Sequence, residues 1–180
     1  MDRGSAIHKE AELWLTGPKK VELPETLSLL EKEFYDLHAM KPQCEKAWAF
    51  TAAWTPTEWM APDCWVRIKT DAYVPTKKID LVIDFKTGKV RDEHIQQLSL
   101  YAIGAMVLNT KSKEVDSWLW YLDQGTTVMH SFTRKNLEML QAEWESKTKA
   151  MLADRIFTPR PSPYCAWCSF SKRKGGPCAF

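Results

Sequence analysis

Helical and extended signals follow one another along this chain as helix, helix, strands, helix, strands, helix and tail, which predicts an α/β or α+β sheet flanked by helices. Two observations carry that prediction. Apolar residues recur at helical spacing in several separate stretches, and the segments between them are rich in tryptophan, valine and isoleucine with turn residues interposed. At 180 residues, 44% of them hydrophobic and 27% charged, the chain suits a single folded domain with a real core.

Residues 4 to 16 read as a short helix that Gly17-Pro18 stops. A second helix is expected from near Pro24 to about Met40, with Leu27, Leu30, Phe34 and Leu37 on its apolar side. Residues 44 to 86 read as strands, with Pro75-Thr76-Lys77-Lys78 joining two of them as a hairpin. Residues 92 to 108 return to helix, placing Ile95, Leu98, Ala102 and Ala105 on one face. Two more strands, 115 to 122 and 127 to 132, meet around Gln124-Gly125. Thr133 is expected to cap a helix reaching about Ala153, with Leu137, Leu140, Trp144 and Met151 on its apolar side.

The formal charge of +2, from 25 basic and 23 acidic residues, excludes a strongly basic chain and favours no partner. Apolar runs fall short of the roughly 20 residues that a bilayer crossing needs, so no membrane partner is expected. Asp2, Arg3, His8, Lys9 and Glu10 interrupt any apolar start, so a signal peptide is not expected and the setting is read as intracellular. The five cysteines are then expected as reduced core thiols or metal ligands. Most of the nine tryptophans are expected in the core, with some free to line a groove where bases stack.

The strongest chemical signal is Asp80-Leu81-Val82-Ile83-Asp84-Phe85-Lys86-Thr87-Gly88-Lys89. Side chains alternate across a strand, so Leu81, Ile83 and Phe85 share the buried face while Asp84 and Lys86 share the other. If the hairpin turns at 75 to 78, Asp71 falls level with Val82 to Asp84, and two carboxylates converge beside a lysine. Carboxylate oxygens suit Mg²⁺ or Mn²⁺, which polarise a phosphoryl oxygen and acidify an attacking water. A lysine beside them can orient that water or stabilise charge on the phosphate. A solvated strand edge is the competing reading of the same residues. Walker A is excluded, because Gly88-Lys89-Val90 lacks the first glycine and the hydroxyl. Lys86-Thr87-Gly88 follows no Ser-x-x-Lys, which excludes the penicillin-binding arrangement.

Gln97 and Tyr101 lie four apart on the helix after this strand and share a face, with His94 close to it. At the other end, Gly4-x3-His8 opens the first helix, and Glu12 follows His8 by one turn. In order, Gly4-x3-His8, Asp71, Asp84-Phe85-Lys86-Thr87-Gly88-Lys89 and Gln97-Leu98-Ser99-Leu100-Tyr101-Ala102 resemble the RecB-type nucleases of the PD-(D/E)xK superfamily. That group includes phage exonucleases and CRISPR adaptation nucleases. The resemblance implies a mixed central sheet with flanking helices. It implies His8, Asp71, Asp84 and the Phe85 carbonyl as metal ligands, Lys86 as the catalytic lysine, and Gln97 and Tyr101 as the helix that lines the site. Glu12 and Glu45 are secondary candidates, each equally readable as a surface charge.

The tail holds Cys165-Ala166-Trp167-Cys168, with Cys178 beyond a further nine residues. A C-x2-C turn can point two thiolates at one ion. Iron–sulfur members of the resembling group use three C-terminal cysteines plus one before the histidine helix. No cysteine precedes His8 in this sequence, so a fourth ligand for zinc or a cluster would have to be Cys44, Cys64, a histidine or another chain. The other reading is a basic, proline-rich cap in which the thiols pack or are exposed.

The expected organisation is a nuclease core over 1–154 and a cysteine-containing basic tail over 155–180, packed on or extending that core. The expected function is Mg²⁺- or Mn²⁺-dependent hydrolysis of DNA, by an exonuclease acting on ends because no added recognition domain is visible. No small-molecule cofactor is expected. The location is read as cytoplasmic, in line with the phage enzymes resembled. Two alternatives stay open: a non-catalytic nucleic-acid-binding module on the same fold, and a zinc-organised interaction protein.

Overall fold

The computed structural model describes residues 2–18 and 21–179. Helix α1 spans Arg3–Thr16, with Asp2 at its N-cap accepting from the Ser5 amide. The expected second helix divides. Residues Glu25–Leu30 form a 3₁₀ segment, and α2 proper runs Glu31–Ala39. The break falls at Leu30, whose backbone (φ −122°, ψ 36°) leaves the helical region. Leu27, Leu30, Phe34 and Leu37 are nonetheless all buried, because both segments keep the same face inward. Strands β1 (Gln43–Phe50), β2 (Pro56–Thr57), β3 (Val66–Val74) and β4 (Ile79–Lys86) follow, then α3 (Asp92–Leu108), β5 (Glu114–Tyr121) and β6 (Thr126–Thr133).

Thr133 makes no side-chain cap. It ends β6, and a 3₁₀ turn over Arg134–Asn136 precedes α4, Leu137–Ala153. Arg134 is tied down there, donating to the carbonyls of Met106, Asn109 and Ser112 and so satisfying acceptors around the end of α3. Among the described residues no helix is long and apolar enough to cross a membrane.

The chain divides into two compact units, Met1–Trp144 and Glu145–Phe180, so the division lies inside α4. In the first unit the six strands make one mixed sheet ordered β2-β1-β3-β4-β5-β6. Only β4 and β5 run parallel, joined by α3 as a parallel pair requires. On one face lie α3 and Leu140 of α4, burying Trp48, Val82, Leu98, Tyr101, Ala102 and Leu119. On the other, α1 and α2 bury Ile7, Trp14, Phe34, Ile83, Phe85 and Trp120. Strand β4 is therefore covered on both sides. The face carrying Asp84 and Lys86 is no solvated edge: Asp84 is buried and Lys86 only partly exposed.

Met151 lies 67% exposed, so the apolar side of α4 ends at Trp144, whose indole donates to Ser99. Buried Asp80, on the same side of β4 as Asp84, is structural. It accepts from the Tyr73 hydroxyl, the Thr76 amide and the Asn109 side chain, and so ties the β3–β4 turn to the end of α3.

The helix α3 approaches the sheet closely at Gly104, where a Cβ would stand 2.7 Å from the Trp48 ring and 3.0 Å from Ile68. Both neighbours are buried and cannot swing aside. Gly104→Ala is expected to destabilise the protein by about 1–3 kcal/mol, the usual range for overpacking a filled core. Urea unfolding would read this as a lowered midpoint, and an unchanged midpoint would contradict the packing described.

Candidate active site

The site is built where two ladders fail together. Strands β3 and β4 pair in the order Val74↔Leu81, Tyr73↔Val82 and Ala72↔Ile83, and then stop. Continued by one step, this register sets Asp71 opposite Asp84, as the hairpin reading of the sequence requires. On its other side Asp71 faces Glu45, which the β1–β3 ladder skips and whose φ is +55°. Asp71 therefore stands at a gap in both ladders. Its Oδ2 accepts the Phe85 amide at 2.6 Å, standing in for a backbone carbonyl. A strand residue's N–H and C=O point the same way, so the Phe85 carbonyl also faces the opening between β3 and β4.

Helix α1 supplies His8, whose Nδ1 lies 3.0 Å from Asp71 Oδ1. Its ring also meets Phe85 edge-on. From the other face α3 supplies Tyr101, whose hydroxyl donates to Asp84 Oδ1 at 2.6 Å. Gln97, one turn earlier, accepts from Lys86 Nζ at 3.0 Å. Lys86 Nζ also lies 2.6 Å from Asp84 Oδ2. That contact is an ion pair and not a well-directed hydrogen bond, since Oδ2 has no hydrogen-bond partner by geometry. His94 adds a hydrogen bond to the Tyr121 hydroxyl at 3.1 Å and stacks on its ring. Tyr121 is the register partner of Lys86 on β5.

The structure thus gathers His8, Asp71 and the Phe85 amide into one set of contacts and Tyr101, Asp84, Lys86 and Gln97 into another, the two adjoining through the Asp84–Phe85 peptide. Glu12 pairs with Lys9 at 2.7 Å and Glu45 pairs with Lys69, so both secondary candidates already have lysine partners.

One contributor carries no spacing signature. Asp123, in the β5–β6 turn, takes both guanidinium nitrogens of Arg3 at 2.5 and 2.9 Å and the Gly88 amide at 2.7 Å. Gln124 donates to the Gly88 carbonyl. These contacts fix the loop that follows Lys86 to the start of α1, where a Cβ on Gly4 would stand 3.1 Å from Thr87 Oγ1. Arg3, holding Asp123 by hydrogen bonds, together with the Gly88 amide, lowers the Asp123 carboxyl to about 2. The sequence shows a turn at this point, and only the fold reveals which residues it meets.

Burial chiefly, and then the neighbouring Asp71 charge, raise the Asp84 pKa, against the opposing pull of Lys86 and Tyr101. The hydrogen bond to Asp71 raises that of His8. Burial, followed by the Asp84 charge, keeps the Tyr101 hydroxyl protonated and so a donor. Two neighbouring carboxylates, that of Asp84 buried, with a backbone carbonyl turned to the same opening are a hard-oxygen donor set, which fits a divalent cation. Among the described residues, however, no three His, Cys, Asp or Glu side chains form a ready-made cage. His8 is bound to Asp71, and Lys86 occupies the side of Asp84 that an ion would share.

In the second unit the cysteines also fail to form a cage. Cys165 Sγ accepts from the Ser162 amide, and all five cysteines of the chain are free thiols. Cys44, weighed as a fourth ligand, lies in the first unit, where burial and then nearby carboxylates push its thiol up to about 11. A protonated thiol is a poor ligand. The expected zinc or iron–sulfur centre thus finds no support in the arrangement of these residues.

Both raised groups hold their protons more tightly when folded. Stability therefore falls as pH rises, from 3.8 upward for Asp84 and from 6.5 upward for His8. Asp84→Asn removes a buried charge and its repulsion with Asp71. In EDTA at about pH 8 it is expected to have a higher Tm than the wild type, and a shallower fall of Tm with pH. Mn²⁺ is expected to raise the Tm of the wild type and not of the variant. Thermal melts across the pH range would check this, and equal Mn²⁺ shifts in both proteins would contradict the site.

The family model of the PD-(D/E)XK nuclease superfamily matches residues 74–173, a stretch that includes Asp84, Lys86, Gln97 and Tyr101. No curated protein sequence matches the chain. Among solved structures, a candidate exonuclease from Eubacterium rectale superposes with a TM-score of 0.47 and 13% identity, over 91% of this chain and 79% of its own. A protein called SSO0001 does so with a TM-score of 0.36 and 14% identity, over 93% of this chain and 94% of its own. These are distant likenesses, and the assignment rests on the matched stretch, which covers more than half of the 180 residues. The chain belongs to the PD-(D/E)XK nuclease superfamily.

Proposed function

We propose that this protein is a Mg²⁺- or Mn²⁺-dependent deoxyribonuclease that degrades DNA from its ends. The observation that carries the reading is the meeting of Asp71 and Asp84 at the β3–β4 opening, with Lys86 held between Asp84 and Gln97. Asp71, Asp84, the Phe85 carbonyl and His8 would hold the cation. When bound, it supplies Lewis acidity to the phosphoryl oxygen and lowers the pKa of the attacking water.

The protein's own groups do the rest. Asp84 and Gln97 fix the Lys86 ammonium, so its charge needs little reorganisation to orient the water or to meet negative charge growing on the phosphate. Tyr101, from α3, donates to Asp84 Oδ1 and so fixes the orientation of that carboxylate. His8 steadies Asp71 from the opposite face of the sheet. A cytoplasmic place of action accords with a DNA substrate.

Lys86→Ala is expected to lower single-turnover cleavage about 100-fold or more, the usual cost of one preorganised electrostatic group. Binding of DNA in EDTA, which draws on many phosphate contacts, is expected to change far less. End-labelled linear DNA should be degraded with Mg²⁺ or Mn²⁺ and spared in EDTA, while closed circles stay intact. Wild-type cleavage by Lys86→Ala would overturn the site, and rapid opening of circles would overturn action on ends.

A further inference from the structure

The first unit does not explain how a polyanion is held. Of the chain's formal +2, residues 145–180 carry seven basic and two acidic side chains, which leaves residues 1–144 at a formal −3. The attraction for phosphate is thus concentrated in the second unit.

That unit also departs from the rest in its aromatic residues. Among the nine tryptophans, Trp14, Trp48, Trp54 and Trp120 are buried and Trp65, Trp118 and Trp144 partly so; Trp59 is 39% exposed with Arg67 over its ring, whereas Trp167 is 79% exposed. Tyr164 and Phe170, three residues to either side, are 72% and 68% exposed. Large apolar rings left in water at such density mark a surface that awaits a partner.

These rings are not on a loose end. A 3₁₀ turn at Pro163–Ala166 and another at Lys172–Lys174 flank them, and Ser171 bridges to Cys178. The Cys178 amide donates to the Phe170 carbonyl at 2.9 Å, and Lys174 Nζ donates to the Trp167 carbonyl at 2.9 Å. A Cβ at Gly176 would stand 2.3 Å from the Phe170 backbone, so only glycine lets this knot close. The knot holds Trp167 and Phe170 at the surface beside exposed Lys172, Arg173 and Lys174.

We propose that the C-terminal unit is a docking surface for single-stranded nucleic acid. Unpaired bases stack on Tyr164, Trp167 and Phe170, and the lysines and arginines take the phosphates. Paired bases hide their faces in the duplex, so exposed rings favour a single strand. The choice of nucleic acid over another anionic surface rests on the nuclease reading. Tethering a strand to the same chain raises its effective concentration without any contact at the metal site.

The test is fluorescence anisotropy of a labelled single-stranded oligonucleotide of about 16 nucleotides, in EDTA and over a salt series. The full chain carrying Trp167→Ala and Phe170→Ala is expected to bind it at least about 10-fold more weakly, with duplex affinity changed much less. Trp167→Phe, which keeps a stacking face, should stay within about threefold of wild type. Changing Lys172, Arg173 and Lys174 to glutamine should weaken binding and flatten its salt dependence. Far-UV circular dichroism shows whether each variant is folded.

Wild-type affinity for single strands in the double alanine variant would overturn the proposal. So would a wild-type protein that binds anionic phospholipid vesicles and ignores the oligonucleotide. The two readings fail separately: if the aromatic variant loses binding while Lys86→Ala still cuts, the nuclease site is wrong and the docking surface stands.

Discussion

Where β3 and β4 stop pairing, the Phe85 amide would be left without a partner, and a buried N–H without a partner is costly. The Asp71 carboxylate takes it at 2.6 Å. The strands can then part without leaving a buried donor orphaned, and the opening they leave faces both helical layers. Everything else in the site depends on that exchange. Asp84 lies one register step beyond the last pair, α1 brings His8 to the free oxygen of Asp71, and α3 brings Tyr101 and Gln97 to Asp84 and Lys86. The skipped Glu45 makes the same interruption on the β1 side.

The arrangement sets function against stability. Asp84 is buried beside another carboxylate, and its raised pKa records how poorly the folded protein accommodates its charge. The packing around it is what holds it there: Val82 and, from α3, Tyr101 on one face, Phe85 against Phe34 and Trp120 on the other. The Arg3–Asp123–Gly88 contacts close the loop end of the same strand. A covered strand with a charged tip is a rigid mount, and rigidity is what a preorganised electrostatic site requires.

Much of this is legible in the residues. The Asp-x-Lys alternation on β4, the turn at Pro75 to Lys78 and the i, i+4 pair Gln97 and Tyr101 place the site, because strand and helix periods are local properties of the chain. What is not legible is long-range. Alternation alone makes the Asp84 face look solvent-facing, and only the crossover by α3 buries it. Asp123 reads as an ordinary turn residue, since nothing local announces Arg3 as its partner. Thr133 looks like a helix cap, but Arg134, anchored on three carbonyls, imposes a 3₁₀ turn before α4. The C-x2-C spacing suggests a metal knuckle, whereas the unit around it is organised by backbone hydrogen bonds and a close glycine contact.

The central claim is that the gap opened by Asp71 is a cation site shared with Asp84. Anomalous scattering from crystals soaked in Mn²⁺ tests it most directly. The account predicts a peak between the Asp71 and Asp84 carboxylates. A peak distant from both, with none between them, would contradict it.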